Sequence, residues 1–256
     1  SGEQTGLQII FAGTRFFLAG IMAVVIGSFS HKRPLFPKKT SWLPILHLSL
    51  LQTTLQYFFF YVGLANTTGV KASIIEGVNV FVAVLVASLL FRQEKLTAKK
   101  VAGCVVGFIG VVIVNLSGGM DMSFSMTGEG FIFLSTIAYA FSSVFLKRYS
   151  QEENPVVLSG YQFAAGGVIM SLIGVLMGGH VRGFGVTSTV MLVYLALVSA
   201  VAYSLWGILL KYNPVSRVAV FGFMNPVFGV ILSAILLGEG AQAAGVKSIA
   251  ALILVC

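Results

Sequence analysis

Nine apolar blocks, most of them about twenty residues long, dominate this chain and decide what it can fold into: 7–29, 43–64, 69–91, 99–117, 128–147, 156–178, 188–210, 215–237 and 241–256. A helix of about twenty residues crosses a hydrocarbon core of roughly 30 Å. The blocks lack the strict alternation of a lipid-facing strand. In lipid every backbone polar group must be satisfied within the segment, which selects helices here. Hydrophobic residues make up 57% of the chain and charged ones 9%, against roughly 25% charged in soluble domains. Such a chain cannot coat itself with polar surface. The expected fold class is an all-α polytopic membrane protein, multi-pass, with the lipid bilayer as its solvent.

A net charge of +8 could point to nucleic acid, but the charges sit in short connections and form no basic helix face, which excludes that partner class. Twelve of the sixteen Lys and Arg residues fall on alternate connections, in "HKRPLFPKKTS", "RQEKLTAKK", Lys147–Arg148 and Lys211–Arg217. Lys71, Arg182 and Lys247 fall on the other side, and Arg15 lies inside a block. The positive-inside rule then places the loops around Lys38, Lys99, Arg148 and Asn213 in the cytoplasm and those around Asp121 and Arg182 outside. Cys104 lies in an apolar block and Cys256 ends the chain; neither spacing is that of a metal site or a disulfide framework. The opening "SGEQTGLQII" lacks the basic region and cleavage site of a signal peptide.

A weak internal repeat runs through the chain. "VKASIIEGVNVFVAVLVASLLFRQEKLTAKKVAG", from Val70, aligns with "VSRVAVFGFMNPVFGVILSAILLGEGAQAAGVKS", from Val215, bringing Glu94 opposite Glu239. The two copies enter the membrane from opposite sides, so the halves are expected to have inverted topology, a recurrent plan of secondary transporters. The expected units are 1–117 and 128–256. The first has four blocks and the second five, so nine spans are present and ten are expected in the full protein, with both ends of this sequence cut.

These residues resemble the drug/metabolite transporter superfamily, in particular its bacterial ten-helix EamA-type members. The resemblance rests on "GTRFFLAGIMA", "GLANTTGVKASII", "RQEKLTAKKVAGCVVGFIGVVIV", "IAYAFSSVFLKRYS" and, most specifically, "YNPVSRVAVFGFMNPVFGVILSAILLGE". It implies two five-helix halves around a central cavity that opens alternately to either side, with no nucleotide, metal or other cofactor. The chain departs from the family in lacking the first helix and in having "EGVNVF" where a mid-helix proline is common.

Glu76 is the most informative residue, because an ionisable group within a span tends to face the bundle interior or a water-filled cavity. It could accept a proton, bind a substrate amine, or form a structural ion pair. Asn79, three residues on, shares its helix face. Arg15, at a similar expected depth, is the obvious partner; it could equally clamp a substrate anion or snorkel outward. Asn225 and Pro226 fall near the middle of their block, where a proline kinks a helix and where transporter sites are often found. Gln56, Tyr139, Tyr203 and Trp206 complete the expected substrate-binding set. Gln52, Tyr57, Tyr161 and Gln162 are further candidates, with Gln52 expected on the face of Gln56, and Tyr57 and Tyr161 also suited to the membrane interface. Gly103 and Gly107 read as a close-packing motif, His47 as an interfacial residue, and Glu94 and Glu239 as solvated block ends.

The leading function is secondary transport of a small organic metabolite, an amino acid or similar amphipathic solute, by export or exchange across the bacterial cytoplasmic (inner) membrane, with protons as a candidate coupling ion. The alternatives are an integral-membrane enzyme acting on lipids, which lacks a convincing nucleophile, and a non-transporting lipid-handling scaffold.

Overall fold

The computed structural model describes residues 2–115, 124–180, 185–225 and 228. Among the described residues there are helices and no strands. Five segments are long and apolar enough to cross a membrane: Glu3–Ser30, Lys71–Leu90, Met126–Tyr149, Pro155–Leu176 and Val186–Tyr212. The chain is an all-α membrane protein. Pro226, Glu239, Asp121, Arg182 and the block 241–256 lie outside the described residues.

Helix α1 (Gly2–Ser30) begins ahead of its expected block. The block 43–64 is α2 (Trp42–Leu48) and α3 (Gln56–Leu64) joined by a π-helical stretch, Ser49–Leu55. Helix α4 (Gly69–Leu85) ends in a second π-helical turn, Val86–Leu90, and is followed by α5 (Ala98–Asn115). A third π-helical turn, Met126–Gly130, leads into α6 (Phe131–Tyr149). Then come α7 (Pro155–Leu176), α8 (Val186–Tyr212), a short α9 (Val215–Ala219) and a tightened 3-10 turn, Val220–Phe223. Local signals set several starts. Thr68 caps α4 by accepting from the Lys71 amide at 3.3 Å. Asn154 caps α7 by accepting from the Val156 amide at 2.9 Å, with Pro155 at the first helical position, where its missing N–H costs nothing.

The most extensive helix pairing is α1 against α7. Its origin is a glycine every seventh residue: Gly6, Gly13, Gly20 and Gly27 on α1, and Gly160, Gly167 and Gly174 on α7. A Cβ at Gly20 would lie 2.5 Å from the Gly160 carbonyl oxygen, one at Gly13 2.7 Å from that of Gly167, and one at Gly6 2.9 Å from that of Gly174. As α1 advances α7 recedes, so the pair is antiparallel. Small residues let the backbones touch, which is how helices associate in lipid, where apolar burial gives no net drive. The expected close-packing motif on α5 is only half of one: Gly107 packs on the Phe223 ring, whereas Gly103 faces open space.

The loops rich in Lys and Arg meet at one end of the bundle. The Lys38 side chain bonds to the Glu152 carbonyl, and the Lys147 ammonium donates to the carbonyls of Leu210 and Asn213. Glu94 was expected to be solvated. Instead its carboxylate is buried, accepting from the Ser216 amide at 2.9 Å and the Ser216 hydroxyl at 2.6 Å, and pairing with Lys100 at 2.8 Å. The free N–H groups at the start of α9 draw the carboxylate in. At the opposite end Glu129 joins Thr67 at 2.7 Å and Lys71 at 3.2 Å. A cysteine placed at position 38 is therefore expected to resist a membrane-impermeant thiol reagent in intact cells and to react in inverted vesicles; labelling from outside would reverse the orientation.

Glu153 fastens the connection before α2 to the one before α7. Its carboxylate accepts from the Lys38 amide at 2.9 Å, the Ser41 hydroxyl at 2.7 Å and the Asn154 amide at 2.8 Å. Burial pushes this carboxyl up, but the three hydrogen bonds outweigh it and hold the group below its ordinary value. A depressed folded value means stability present above the unfolded carboxylate range, near pH 4.3, and lost as pH falls through the folded value. The melting advantage of wild type over Glu153→Gln is thus expected to hold at pH 7 and to vanish on acidification below about pH 4. Parallel melting curves at every pH would contradict it.

Candidate functional site

A cavity of about 820 Å³ lies among α3, α4, α6, α8 and the segment from α9 to Asn225. Seven of the nine residues of the expected substrate-binding set line it, Gln56 on α3, Glu76 and Asn79 on α4, Tyr139 on α6, Tyr203 and Trp206 on α8, and Asn225, together with the further candidate Tyr57. Pro226 lies outside the described residues. The helix nevertheless tightens over Val220–Phe223, one turn ahead of that proline.

Glu76 stands seven residues into α4, about 10 Å along the helix at 1.5 Å per residue. Its carboxylate accepts from the Ser135 hydroxyl at 3.3 Å, a hydroxyl that also bonds to the Ile132 carbonyl at 2.9 Å. No ion pair holds it: among the described residues the pairs are Lys71–Glu129 and Lys100–Glu94. Arg15, its expected partner, does not line the cavity. The guanidinium lies 4.4 Å from the Phe16 ring centroid and 5.8 Å from that of Tyr57, with its Nε buried and without a hydrogen bond. The reason is packing: α1 is committed to α7 and α8, and its arginine lies against the Phe16 ring and the ring of Tyr57, itself a lining residue.

Three fully buried polar atoms on lining residues have no hydrogen-bond partner among the described residues: Gln56 Oε1, Asn79 Oδ1 and Trp206 Nε1. Buried polar groups are nearly always paired, and leaving one unpaired costs about 1–3 kcal/mol. All three belong to side chains that line the one cavity. The Tyr139 and Trp206 rings, 5.8 Å apart, supply aromatic faces beside them.

Gln52 was expected to share the face of Gln56. It is instead fully buried, accepting from the Gln162 amide at 2.8 Å, while Gln162 accepts from Thr53 at 2.8 Å. The π-helical stretch explains this: the Gln56 amide donates to Leu51, five residues back, so a spacing of four no longer returns to the same face. The Tyr57 hydroxyl bonds to that of Tyr203 rather than to an interface, and Tyr161 bonds to the Leu35 carbonyl at 3.2 Å. His47 keeps a packing role, bonded to the Tyr149 hydroxyl at 2.8 Å. Ser135 and Ser73 were not singled out in the sequence; hydroxyls are so common in these helices that nothing marks the two that reach the site.

The floor of the cavity toward the Lys- and Arg-rich end is apolar. Val80, Val84, Val215, Val218, Ala219 and Phe223 belong to one buried cluster. Below it lies the hydrogen-bonded layer of Glu94, Lys100 and Ser216.

Comparison with known proteins gives this arrangement a context. The model of the EamA-like transporter family matches residues 7–116 and 126–256. A protein named an uncharacterized transporter from Archaeoglobus fulgidus is 28% identical over 79% of this chain and 71% of its own length. A protein named a probable amino-acid metabolite efflux pump from Salmonella typhimurium is 28% identical over 93% of this chain and 81% of its own. A solved structure matches 96% of this chain and 85% of its own with a TM-score of 0.80 at 19% identity, a likeness of fold.

Proposed function

The chain belongs to the EamA-like transporter family, and on that premise we propose that it is a secondary transporter of a small organic metabolite, an amino acid or similar amphipathic solute, moving it by export or exchange across the bacterial cytoplasmic membrane. Transport rather than enzyme chemistry is what the family and the named relatives carry. The observation that supports the finer reading best is the cavity itself, in which Gln56, Glu76, Asn79 and Asn225 converge beside the Tyr139 and Trp206 rings. Mostly apolar walls with a few convergent polar groups suit an amphipathic solute of modest size.

In this reading residues 1–117 and 128–256 act as inverted halves that rock about the cavity. The apolar floor and the Glu94 layer hold the cytoplasmic side shut, and separation of α4 from α9 opens it. Gln56, Glu76, Asn79, Tyr139, Tyr203, Trp206 and Asn225 contact the solute, Arg15 braces Tyr57 from behind, and Glu76 exchanges the coupling proton.

The test is flux into proteoliposomes. Purified protein is expected to give saturable, pH-gradient-dependent movement of radiolabelled amino acids or amines that protein-free vesicles lack. Flux equal to that of empty vesicles across both classes, with and without a gradient, would overturn the proposal.

A further inference from the structure

Charge inside the cavity is one-sided. Among the described lining residues Glu76 is the single acid, and there is no Lys, Arg or His. Residues 226–256 add only Lys247 and Glu239 as charged side chains. Among the described residues Arg15 is held against the Phe16 and Tyr57 rings, and Lys71, at the outer start of α4, pairs with Glu129 at 3.2 Å.

Polar side chains stand with the carboxylate in the lining: the amides of Gln56, Asn79 and Asn225 and the hydroxyls of Ser73, Tyr57, Tyr139 and Tyr203. A protonated amine has three donors and a positive charge, so it matches the Glu76 carboxylate and the amide and hydroxyl oxygens beside it. Aromatic faces such as the Tyr139–Trp206 pair attract the same cation. A free carboxylate would face Glu76 with no Lys, Arg or His among the described lining residues, an expensive burial.

We propose that this cavity selects its solute by a protonated amine, held by Glu76, Asn79 and Gln56 against the Tyr139–Trp206 rings, and that a free carboxylate on the solute weakens binding. The solute class is an organic amine, or an amino-acid derivative whose carboxylate is masked as an amide or ester. This narrows the transport reading above and rests on it.

The test measures equilibrium binding to purified full-length chain with five probes: phenethylamine, butylamine, phenylalaninamide, phenylalanine and N-acetylphenylalanine. The amines and phenylalaninamide are expected to bind at least about 10-fold more tightly than phenylalanine, and N-acetylphenylalanine not at all, by the strength of a charge-assisted hydrogen bond. Glu76→Gln is expected to weaken the amines by about 10- to 100-fold on the same grounds, and Glu76→Asp to keep the order of the series. Equal affinity for amine and carboxylate probes, amine binding that survives Glu76→Gln in folded protein, or no binding of any probe would each overturn the proposal. Flux of the same probes separates the two levels. Movement of carboxylates in preference to amines leaves a transporter with a different specificity, whereas no movement of either class removes the transport reading itself.

Discussion

Glu76→Gln is expected to melt close to wild type and to flatten the pH profile of flux. Glutamine keeps the size and hydrogen-bonding reach of the side chain but cannot ionise. In wild type, protons compete with a bound amine for the carboxylate, so amine flux should fall as the pH is lowered, and the variant should lose that slope. The groups around Glu76 leave little else to carry it. Ser135 and Tyr139 face it from α6, Tyr203 from α8, Cys104 lies on the neighbouring α5, and Lys71 stands farther out on α4. Neither serine nor tyrosine hydroxyls ionise in the neutral range.

The competing idea is that Glu76 is a structural partner of Arg15. Removing one member of a buried pair costs about 3–5 kcal/mol, because the other charge is left uncompensated. No such pair is present among the described residues, where the carboxylate accepts from the Ser135 hydroxyl at 3.3 Å. A large drop in melting temperature for Glu76→Gln, rescued by adding Arg15→Gln and accompanied by a restored pH profile, would sink the coupling role.

The sequence reveals the lipid-crossing architecture because hydropathy is local and additive: a block of twenty apolar residues needs no tertiary information to be read. The side-chain set of the cavity is legible for a related reason. Charged, amide and aromatic polar groups inside apolar blocks are few beside the many hydroxyls, so Gln56, Glu76, Asn79, Tyr139, Tyr203, Trp206 and Asn225 stand out before any packing is known, and these seven line the cavity while Arg15, Gln52, Tyr161 and Gln162, which stand out equally, do not. What fails is everything that depends on which helix faces which. Arg15 and Glu76 were paired by depth, but depth along two helices says nothing of rotation about them, and α1 turns its arginine toward Phe16 and Tyr57. Gln52 and Gln56 were paired by α-helical spacing, which the π-helical stretch Ser49–Leu55 breaks. Glu94 was read as solvated because nothing nearby in sequence shows that Ser216 will reach it.

The seven-residue glycine spacing, legible in the sequence, dictates the largest helix pairing among the described residues. Gly20→Ala is accordingly expected to be among the most damaging single-methyl changes in the chain. A Cβ there would sit 2.5 Å from both the Ala164 nitrogen and the Gly160 oxygen, and 3.0 Å from the Ala164 Cα. All three atoms are backbone, so no rotamer change relieves the overlap and the two helices must separate along their length. Separation loses close contacts at Gly13–Gly167 and Gly6–Gly174 as well, which puts the expected cost at or above about 3 kcal/mol, the upper end of overpacking penalties. Gly103→Ala is the matched control. It adds the same methyl on α5 with nothing within 4 Å, and the gain in helix propensity is about 1 kcal/mol in the stabilising direction. Thermal melts in detergent should therefore show Gly20→Ala falling far below wild type, or failing to accumulate, while Gly103→Ala matches or exceeds it. Near-equal melting of the two variants would show that α1 and α7 do not depend on backbone contact, and would remove the glycine repeat as the cause of their pairing.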